Sequence, residues 1–281
     1  MAARHEEGQL TRTATQGPTL HYYAVAPDGA PRAMVALLHG YADHGKRYEH
    51  VADVWAERGI ATVAIDLRGH GRSEGKRGHC EAFDEYLADA AELSRLAQQK
   101  GGGAPAFLVG HSFGGLVAAT AAIEHPAPWR GLVLSAPYFG LALDVPAIKV
   151  IAGKVASRFV PALSLPTGLR GIDMTHDQER ARAYDEDPLV FKRATSRWFT
   201  ESTTAQERVI ARAPALTMPL YLVMGGQDRV AKLSRARAFF EAVGSRDKTW
   251  DERPALFHEV LNEPEWRAIA LRIADWIASH A

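Results

Sequence analysis

The 281-residue sequence has one cysteine, no net charge and no long apolar run. The single thiol, Cys80, excludes an intramolecular disulfide and is typical of a reducing compartment. Lys plus Arg and Asp plus Glu balance at 33 each, which argues against nucleic acid or a strongly acidic molecule as a partner. No apolar segment approaches the roughly 18 residues that a membrane-spanning helix needs, so none is predicted.

The first residues also lack a secretion signal. Met1 to Gln9 are charged and contain no apolar stretch of the kind that directs export, so a cytoplasmic location is predicted. What the chain does have is an ordinary globular composition, 47% hydrophobic and 23% charged. A chain of this length predicts one large α/β domain, or one domain with an insertion.

Short apolar runs alternate with helical patterns along most of the chain, which predicts a mostly parallel central sheet flanked by helices. The run Ala33 to Leu38 is almost continuously apolar, as a strand buried on both faces should be. The other predicted strands are Leu20 to Ala26, Ile60 to Ile65, Phe107 to Val109, Gly131 to Ser135 and Leu220 to Met224. Predicted helices lie before Gly59, at Glu85 to Gln99, at Leu116 to His125, and at the end of the chain, where Trp266, Ile269, Ile273, Trp276 and Ile277 share a face.

The alternation stops between Pro137 and Pro214, in a stretch rich in proline and without convincing strands. We therefore predict a core at residues 1–136 and 214–281, and an inserted, mainly helical cap at residues 137–213. One predicted cap helix is amphipathic, with Ile148, Ile151, Val155 and Phe159 opposite Lys149, Lys154 and Arg158. Such a face either packs on the core or faces a ligand or a lipid surface. Its position in an insertion favours the second alternative, which makes Ile148 and Ile151 candidate substrate-binding residues and predicts transient membrane contact through the cap.

The motif Gly110-His111-Ser112-Phe113-Gly114 lies between a predicted strand and a predicted helix. A G-x-S-x-G at such a turn is typical of a nucleophile elbow, in which a tight bend exposes the serine and flanking glycines avoid collisions. Ser112 is therefore the candidate nucleophile, and it needs a base that takes its proton and an acid that orients the base.

In α/β-hydrolases these partners follow the serine in the order acid, then histidine. Asp228 follows the strand that ends in Gly225 and Gly226, at the edge of the sheet where open parallel sheets carry their sites. Asp247 and Asp251 are rivals that we place in a polar region ahead of the last strand. Only His258 and His280 come after Asp228, and His280 is the penultimate residue, where chain ends fray. Asp228 and His258 are therefore the predicted acid and base.

An acyl-transfer site also needs two donors for the oxyanion. The backbone N–H of Phe113, directly after the nucleophile, is one candidate. The other is the N–H of Tyr41, because His39-Gly40-Tyr41 follows a central strand and the glycine allows the turn that directs this N–H inward.

These residues resemble the monoacylglycerol lipase and lysophospholipase branch of the α/β-hydrolases, which is related to the serine aminopeptidase group. The resemblance covers nearly the whole chain. It includes the oxyanion segment from His39 to Tyr48, the loop Asp66-Leu67-Arg68-Gly69-His70-Gly71-Arg72-Ser73-Glu74-Gly75, the elbow, the run Asp187-Pro188-Leu189, and the terminal segment Phe257-His258-Glu259 with Asn262-Glu263.

The resemblance implies the α/β-hydrolase fold and a serine esterase that removes one acyl chain from a small polar head group beneath a mobile cap. No cofactor or metal is implied, and the expected partner is a small lipid ester. It also implies that Asp43 and Arg47 help to hold the head group. The family more often has Gly-Glu-His where this chain has Ala42-Asp43-His44, and Tyr41 is bulkier than the small residue often found there. The first departure weakens the expected glycerol contact, and the second narrows the acyl site.

Several alternatives remain besides a monoacylglycerol lipase. Lysophospholipases, broad-specificity carboxylesterases, peptidases and carbon–carbon hydrolases keep the serine, whereas dehalogenases and epoxide hydrolases use an aspartate that Ser112 replaces. The run from His39 to His44 superficially resembles an H-x-H-x-D-H metal cluster, but Tyr41 stands at its middle histidine. A binding module on the same fold would normally lack a member of the triad, and none is missing.

Overall fold

The computed structural model describes residues 3–10, 17–142 and 147–281, without the side chains of residues 147–150. The strands in these ranges are β1 Arg4–Leu10, β2 Leu20–Ala26, β3 Ala33–Leu38, β4 Ile60–Ile65, β5 Ala106–His111, β6 Trp129–Ser135, β7 Ser164–Pro166, β8 Arg193–Thr195, β9 Leu220–Gly225 and β10 Lys248–Arg253. The helices are α1 Glu49–Glu57, α2 Asp84–Gly101, α3 Phe113–Glu124, α4 Ala147–Phe159, α5 Gly171–Met174, α6 Gln178–Glu186, α7 Ser196–Ala211, α8 Leu233–Ala242 and α9 Trp266–His280.

Eight strands form the central sheet in the order β1-β2-β4-β3-β5-β6-β9-β10. The strands from β4 to β10 in this order run parallel, and β1 and β2 are antiparallel additions at one edge. Because the parallel strands end at the same edge, the loops after β3, β5 and β9 meet above one side of the sheet. The predicted α/β architecture is therefore confirmed.

The central strands are buried on both faces because helices cover each side. One face packs against α2 and α3, through alternating residues such as Met34, Ala36 and Leu38 of β3. The other face packs against α1 and α9, through Val35 and Leu37 of the same strand. Strands enclosed in this way require nearly continuous apolar sequence, which is why β3, β4 and β9 were predicted within one residue of their observed bounds.

Four helices, α4 to α7, and the antiparallel pair β7–β8 lie between β6 and β9 in the described part of the chain. We call residues 147–213 the insert. Helix α4 packs along α7, and α7 packs on α3 of the core. The cap boundaries at 137 and 213 stay a prediction. Across the described ranges, no helix combines the length and apolar character that crossing a membrane requires.

Both edges of the sheet differ from the expectation. Strand β1 was not predicted, because its residues are polar and largely exposed. Strand β10 contains Asp251, so this aspartate lies within the last strand rather than ahead of it. The expected fraying at His280 was also wrong: helix α9 runs through this residue, whose ring contacts the Trp276 carbonyl and the Asp247 carboxylate.

Candidate active site

Ser112 lies on the sharp turn that joins β5 to α3. Its backbone has φ 51° and ψ −116°, in the left-handed half of conformational space that residues other than glycine rarely occupy. A Cβ atom on Gly114 would lie 2.3 Å from the Leu38 carbonyl oxygen, and one on Gly110 would lie 2.5 Å from the Gly114 oxygen. The two glycines are therefore needed for the close approach of α3 to β3 and β5, which leaves the Ser112 side chain above the sheet.

The structure brings the predicted nucleophile, base and acid together in one hydrogen-bonded chain. Ser112 Oγ lies 2.8 Å from His258 Nε2, and His258 Nδ1 lies 2.8 Å from Asp228 Oδ2. The other carboxylate oxygen of Asp228 accepts backbone N–H groups from Val230 and Ala231, at 2.7 and 2.8 Å. With Nδ1 donating to the carboxylate, Nε2 is left to accept the proton of the serine hydroxyl.

Contacts between neighbouring loops hold the acid and the base in position. Phe257 donates its backbone N–H to Glu263 Oε1 at 2.7 Å, and a Cβ on Gly225 would lie 2.1 Å from the Phe257 carbonyl oxygen. The end of β9 and the loop of His258 are thus in direct contact. The two rival acids are hydrogen-bonded to other residues, Asp251 to the Tyr221 hydroxyl and Asp247 to His280.

The base carries a raised pKa. Burial disfavours the imidazolium of His258 and is the largest single effect. The charge and hydrogen bond of Asp228, together with the carboxylates of Glu259 and Asp43, outweigh it, so the pKa of His258 lies above its usual 6.5. His111, whose ring centroid is 5.0 Å from that of His258, shows the opposite shift. Burial lowers the pKa of His111 to about 4, so this neighbour stays neutral at neutral pH.

The predicted oxyanion donors also lie at the nucleophile. A Cβ on Gly40 would lie 3.4 Å from the Ser112 Cβ, so the loop after β3 contacts the elbow. Tyr41 follows in this loop and Phe113 is the first residue of α3. Within the described ranges, neither backbone N–H has a hydrogen-bond acceptor in the protein, which leaves both available to a ligand.

Asp43 and Arg47 are hydrogen-bonded to each other and to other groups of the protein. Arg47 Nη1 donates to Asp43 Oδ1 at 3.0 Å, and the Tyr48 hydroxyl donates to Asp43 Oδ2 at 2.9 Å. The remaining guanidinium contacts go to Glu259, the residue after His258. Asp43 lines the cavity described below and Arg47 does not, so the head-group contact of this pair stays a prediction.

A cavity of about 730 Å³ opens beside Ser112 and His258, between the sheet and the insert. Its walls are mainly apolar and include Tyr138, Leu141, Leu163, Met174, Trp198, Phe199 and Val230. The volume and the mainly apolar lining with a few polar groups are typical of a small-molecule site. Ile151 is 61% exposed and does not line this cavity, while the side chain of Ile148 lies outside the described residues.

In the run that superficially resembles a metal cluster, His39 is hydrogen-bonded to backbone groups. His39 contacts the Gly40 carbonyl through Nδ1 at 2.7 Å and accepts the Leu67 N–H at Nε2 at 2.9 Å. In the described part of the chain, no group of three or more His, Cys, Asp or Glu residues is arranged to hold a metal ion. Cys80 is buried near Tyr41, and burial raises the pKa of its thiol to about 12.

Sequence reasoning missed two residues that shape the site. Trp198 of α7 packs on both oxyanion candidates, with ring centroids 3.7 Å from Tyr41 and 5.2 Å from Phe113. Glu259 pairs with Arg47 behind the base. The adjacency of Glu259 to His258 was a usable signal, whereas Trp198 is remote in sequence and no local pattern marks it.

Comparisons with known proteins found a matching family and several similar proteins. The family described as serine aminopeptidase S33 matches residues 29–265. The chain is 33% identical to a monoacylglycerol lipase of Mycolicibacterium smegmatis over 94% of each chain, and 31% identical to phospholipase YtpA of Bacillus subtilis over 84% of this chain and 91% of that protein. The crystal structure of a monoacylglycerol lipase from Paleococcus ferrophilus superposes with a TM-score of 0.81 at 28% identity and full coverage of both chains.

Proposed function

This chain belongs to the serine aminopeptidase S33 family of α/β-hydrolases and is a carboxylester hydrolase, and we propose that it cleaves monoacylglycerols through an acyl-enzyme on Ser112. Membership confirms the resemblance that the motifs indicated. The observation that carries the proposal is the hydrogen-bonded chain Ser112–His258–Asp228 beside a largely apolar cavity.

In the first half of the reaction, His258 Nε2 takes the hydroxyl proton of Ser112 while Oγ attacks the ester carbonyl carbon. Asp228 fixes the tautomer that leaves Nε2 free, and its charge stabilises the imidazolium that forms. The pKa of His258 lies above its ordinary value for the same reason, which strengthens it as a proton acceptor. The negative charge that develops on the carbonyl oxygen is held by the backbone N–H groups of Tyr41 and Phe113.

In the second half, the imidazolium returns its proton to the leaving alcohol as the carbon–oxygen bond breaks. Water then enters, gives a proton to His258 and attacks the acyl-enzyme carbonyl. Collapse of the second tetrahedral intermediate releases the fatty acid and restores the hydroxyl of Ser112. In this reaction, groups of the protein transfer every proton and stabilise every charge that develops.

The cavity supports a substrate with one acyl chain. Apolar walls favour a hydrocarbon chain because they remove its surface from water, at about 25 cal/mol per Å². The charged and catalytic groups of the wall, Asp43, Glu259 and His258, come from the loops of the core around Ser112, whereas the insert contributes mainly apolar residues and a few hydroxyls. A substrate with an apolar tail and a small polar head fits this separation, and the similar lipase of M. smegmatis bears the name of such a substrate.

The insert also offers a surface for lipid contact. The large hydrophobic side chains that are exposed in the described residues all fall between Ile151 and Ile172. Residues 147–170 carry four basic side chains and no acidic one. An apolar face bordered by cations is the composition of segments that rest on membrane surfaces. The proposal therefore includes transient contact of the insert with a lipid surface, and a cytoplasmic location stays a prediction.

The experiment is hydrolysis of monoacylglycerols over a range of chain lengths, with Ser112→Ala as the control. We expect a rate with a chain-length optimum that falls by about 10⁴- to 10⁶-fold in the variant. Full activity of folded Ser112→Ala protein would refute the acyl-enzyme.

A second candidate, lysophospholipase activity, is favoured by the 31% identity to phospholipase YtpA. Serine-dependent cleavage of lysophospholipids but not of monoacylglycerols, in the same assay format, would select it over the first candidate. Labelling of Ser112 by a fluorophosphonate without cleavage of either lipid would keep the mechanism and reject both substrates.

A further inference from the structure

The side chain of Tyr41 makes contacts that the proposed reaction does not require. Its hydroxyl donates to the main-chain carbonyl of Arg193, in strand β8 of the insert, at 2.8 Å. The Gly78 carbonyl lies farther from the same hydroxyl, at 3.4 Å. The ring packs on Trp198 of α7 with a centroid separation of 3.7 Å. A residue of the loop after β3 is thus fastened to the insert at two points.

The junction is built around this hydroxyl. Arg193 lies opposite Pro166 at a non-hydrogen-bonded position of the β7–β8 pair, because the ladder bonds flank it, as in Thr167 N–H to the Lys192 carbonyl. The Arg193 carbonyl therefore faces away from β7 and can accept from a side chain. Gly78 has φ +63°, and a Cβ there would lie 2.5 Å from the Tyr41 hydroxyl and 2.7 Å from the Arg193 oxygen. A larger residue at position 78 would therefore displace the phenol from its acceptor.

The same loop has another attachment to the insert. His44 Nε2 lies 2.9 Å from the carboxylate of Asp187, and the histidine side chain is 5% exposed. Trp198 also contacts Phe113, which provides the other proposed oxyanion donor. The insert therefore contacts both residues that are proposed to supply the oxyanion N–H groups.

From this geometry we infer that Tyr41 is a positioning residue, whose hydroxyl ties the oxyanion loop to the insert and thereby sets the place of its own backbone N–H. The inference rests on the proposed serine mechanism. In an oxyanion hole the donors act by being in place before charge develops, so a small displacement of a donor lowers the rate without changing the chemistry. The insert then influences the chemical step as well as substrate access.

Tyr41→Phe removes the hydroxyl and keeps the ring on Trp198. With p-nitrophenyl acetate, a short soluble ester, we expect kcat to fall by about 10- to 100-fold at an almost unchanged KM, because the loss acts on the transition state. The inhibition constant of a boronic acid, which forms a tetrahedral adduct with serine, should weaken in the same proportion. A residue that only supports the fold would not produce this parallel change.

Rates are expressed per site titrated to saturation with a fluorophosphonate, so that misfolded protein is not counted. Tyr22→Phe is the matched control, because it removes a phenol hydroxyl that bonds Glu6 at the far edge of the sheet. If Tyr41→Phe keeps kcat within about twofold of the wild type and only lowers Tm, the inference is wrong and the hydroxyl is a structural anchor. Wild-type protein that takes no fluorophosphonate would instead overturn the proposed function, and with it this inference.

Discussion

The guanidinium of Arg47 lies against the carboxylate of Glu259 in a bidentate ion pair, with N–O distances of 2.9 and 2.8 Å. Glu259 is the residue after His258, and Arg47 also holds Asp43 in the loop that carries Tyr41. Burial opposes the charge on both carboxylates. The guanidinium, joined at Asp43 by the neighbouring His39 and His44, outweighs burial, so the pKa of Asp43 and that of Glu259 lie below their usual values. One cation thus joins the loops of the proposed base and the proposed oxyanion donor.

Arg47→Met should therefore destabilise the fold strongly, because it leaves two buried carboxylates without a cation. We expect a loss of about 3–5 kcal/mol in the free energy of unfolding at pH 7, measured by urea denaturation with tryptophan fluorescence. Arg58→Met is the control, since Arg58 pairs with Asp275 on the surface, and such pairs contribute at most about 1 kcal/mol. Equal effects of the two substitutions would contradict the account of the buried cluster.

The pH dependence of this loss has a definite sign. In the folded protein the pKa values of Asp43 and Glu259 lie below their ordinary values of 3.8 and 4.5. The two carboxylates therefore stabilise the fold above these ordinary values, and this stabilisation is lost as the pH falls through the folded-state pKa values. Without Arg47 the two carboxyls accept protons more readily on folding. The difference in the free energy of unfolding between wild type and Arg47→Met should therefore become smaller in acid. A difference that stays constant down to pH 3 would argue against the two carboxylates as its cause.

The pH–rate profile should report the state of His258. Only the neutral imidazole accepts the serine proton, so kcat/KM is expected to rise with pH through a midpoint above 6.5, the ordinary pKa of histidine. In Asp228→Asn, burial still lowers the pKa of His258, but the negative charge of Asp228 that raises it is absent. Its midpoint should therefore shift to lower pH than in the wild type, and kcat should drop by about 10⁴-fold through the wrong tautomer. An unshifted midpoint in this variant would show that Asp228 does not set the pKa of the base.

Phe159→Ser tests the lipid surface of the insert. Phe159 is 77% exposed at the end of α4, and burial of a phenylalanine side chain contributes about 1.5–3 kcal/mol. We expect about 10- to 100-fold weaker binding to phospholipid vesicles by co-sedimentation, with hydrolysis of p-nitrophenyl acetate unchanged. Ala162→Ser places the same serine in the same exposed segment without removing a large apolar group. Vesicle binding that is insensitive to Phe159→Ser would place the lipid contact elsewhere.

The elements best predicted from the sequence are those whose environment is uniform along their length. Strands β3 and β4 are buried on every side, so their composition alone identifies them. The edge strand β1 is held by its backbone pairing with β2 and carries surface ion pairs, such as Glu6 with Lys100 and Glu7 with Lys46, so its sequence has no periodic apolar signal. Strands β7 and β8 are three residues long, below the length at which a pattern exists.

The same distinction separates the predicted from the missed parts of the site. Ser112, Asp228 and His258 follow from a local motif and a fixed chain order, and the structure places them within hydrogen-bonding distance. The contact of Tyr41 with Arg193 joins residues 152 positions apart. No local pattern encodes such a contact, because it depends on how the insert folds back over the sheet.

The lone thiol offers a practical consequence. Cys80 is 3% exposed and sits close to Tyr41, at the place where the oxyanion loop meets the insert. An alkylating reagent can reach it only when this region opens, and the high pKa further protects the closed state. Because the sequence contains no other cysteine, the rate of modification under native conditions reports local opening at this one site. No cysteine has to be introduced for the measurement.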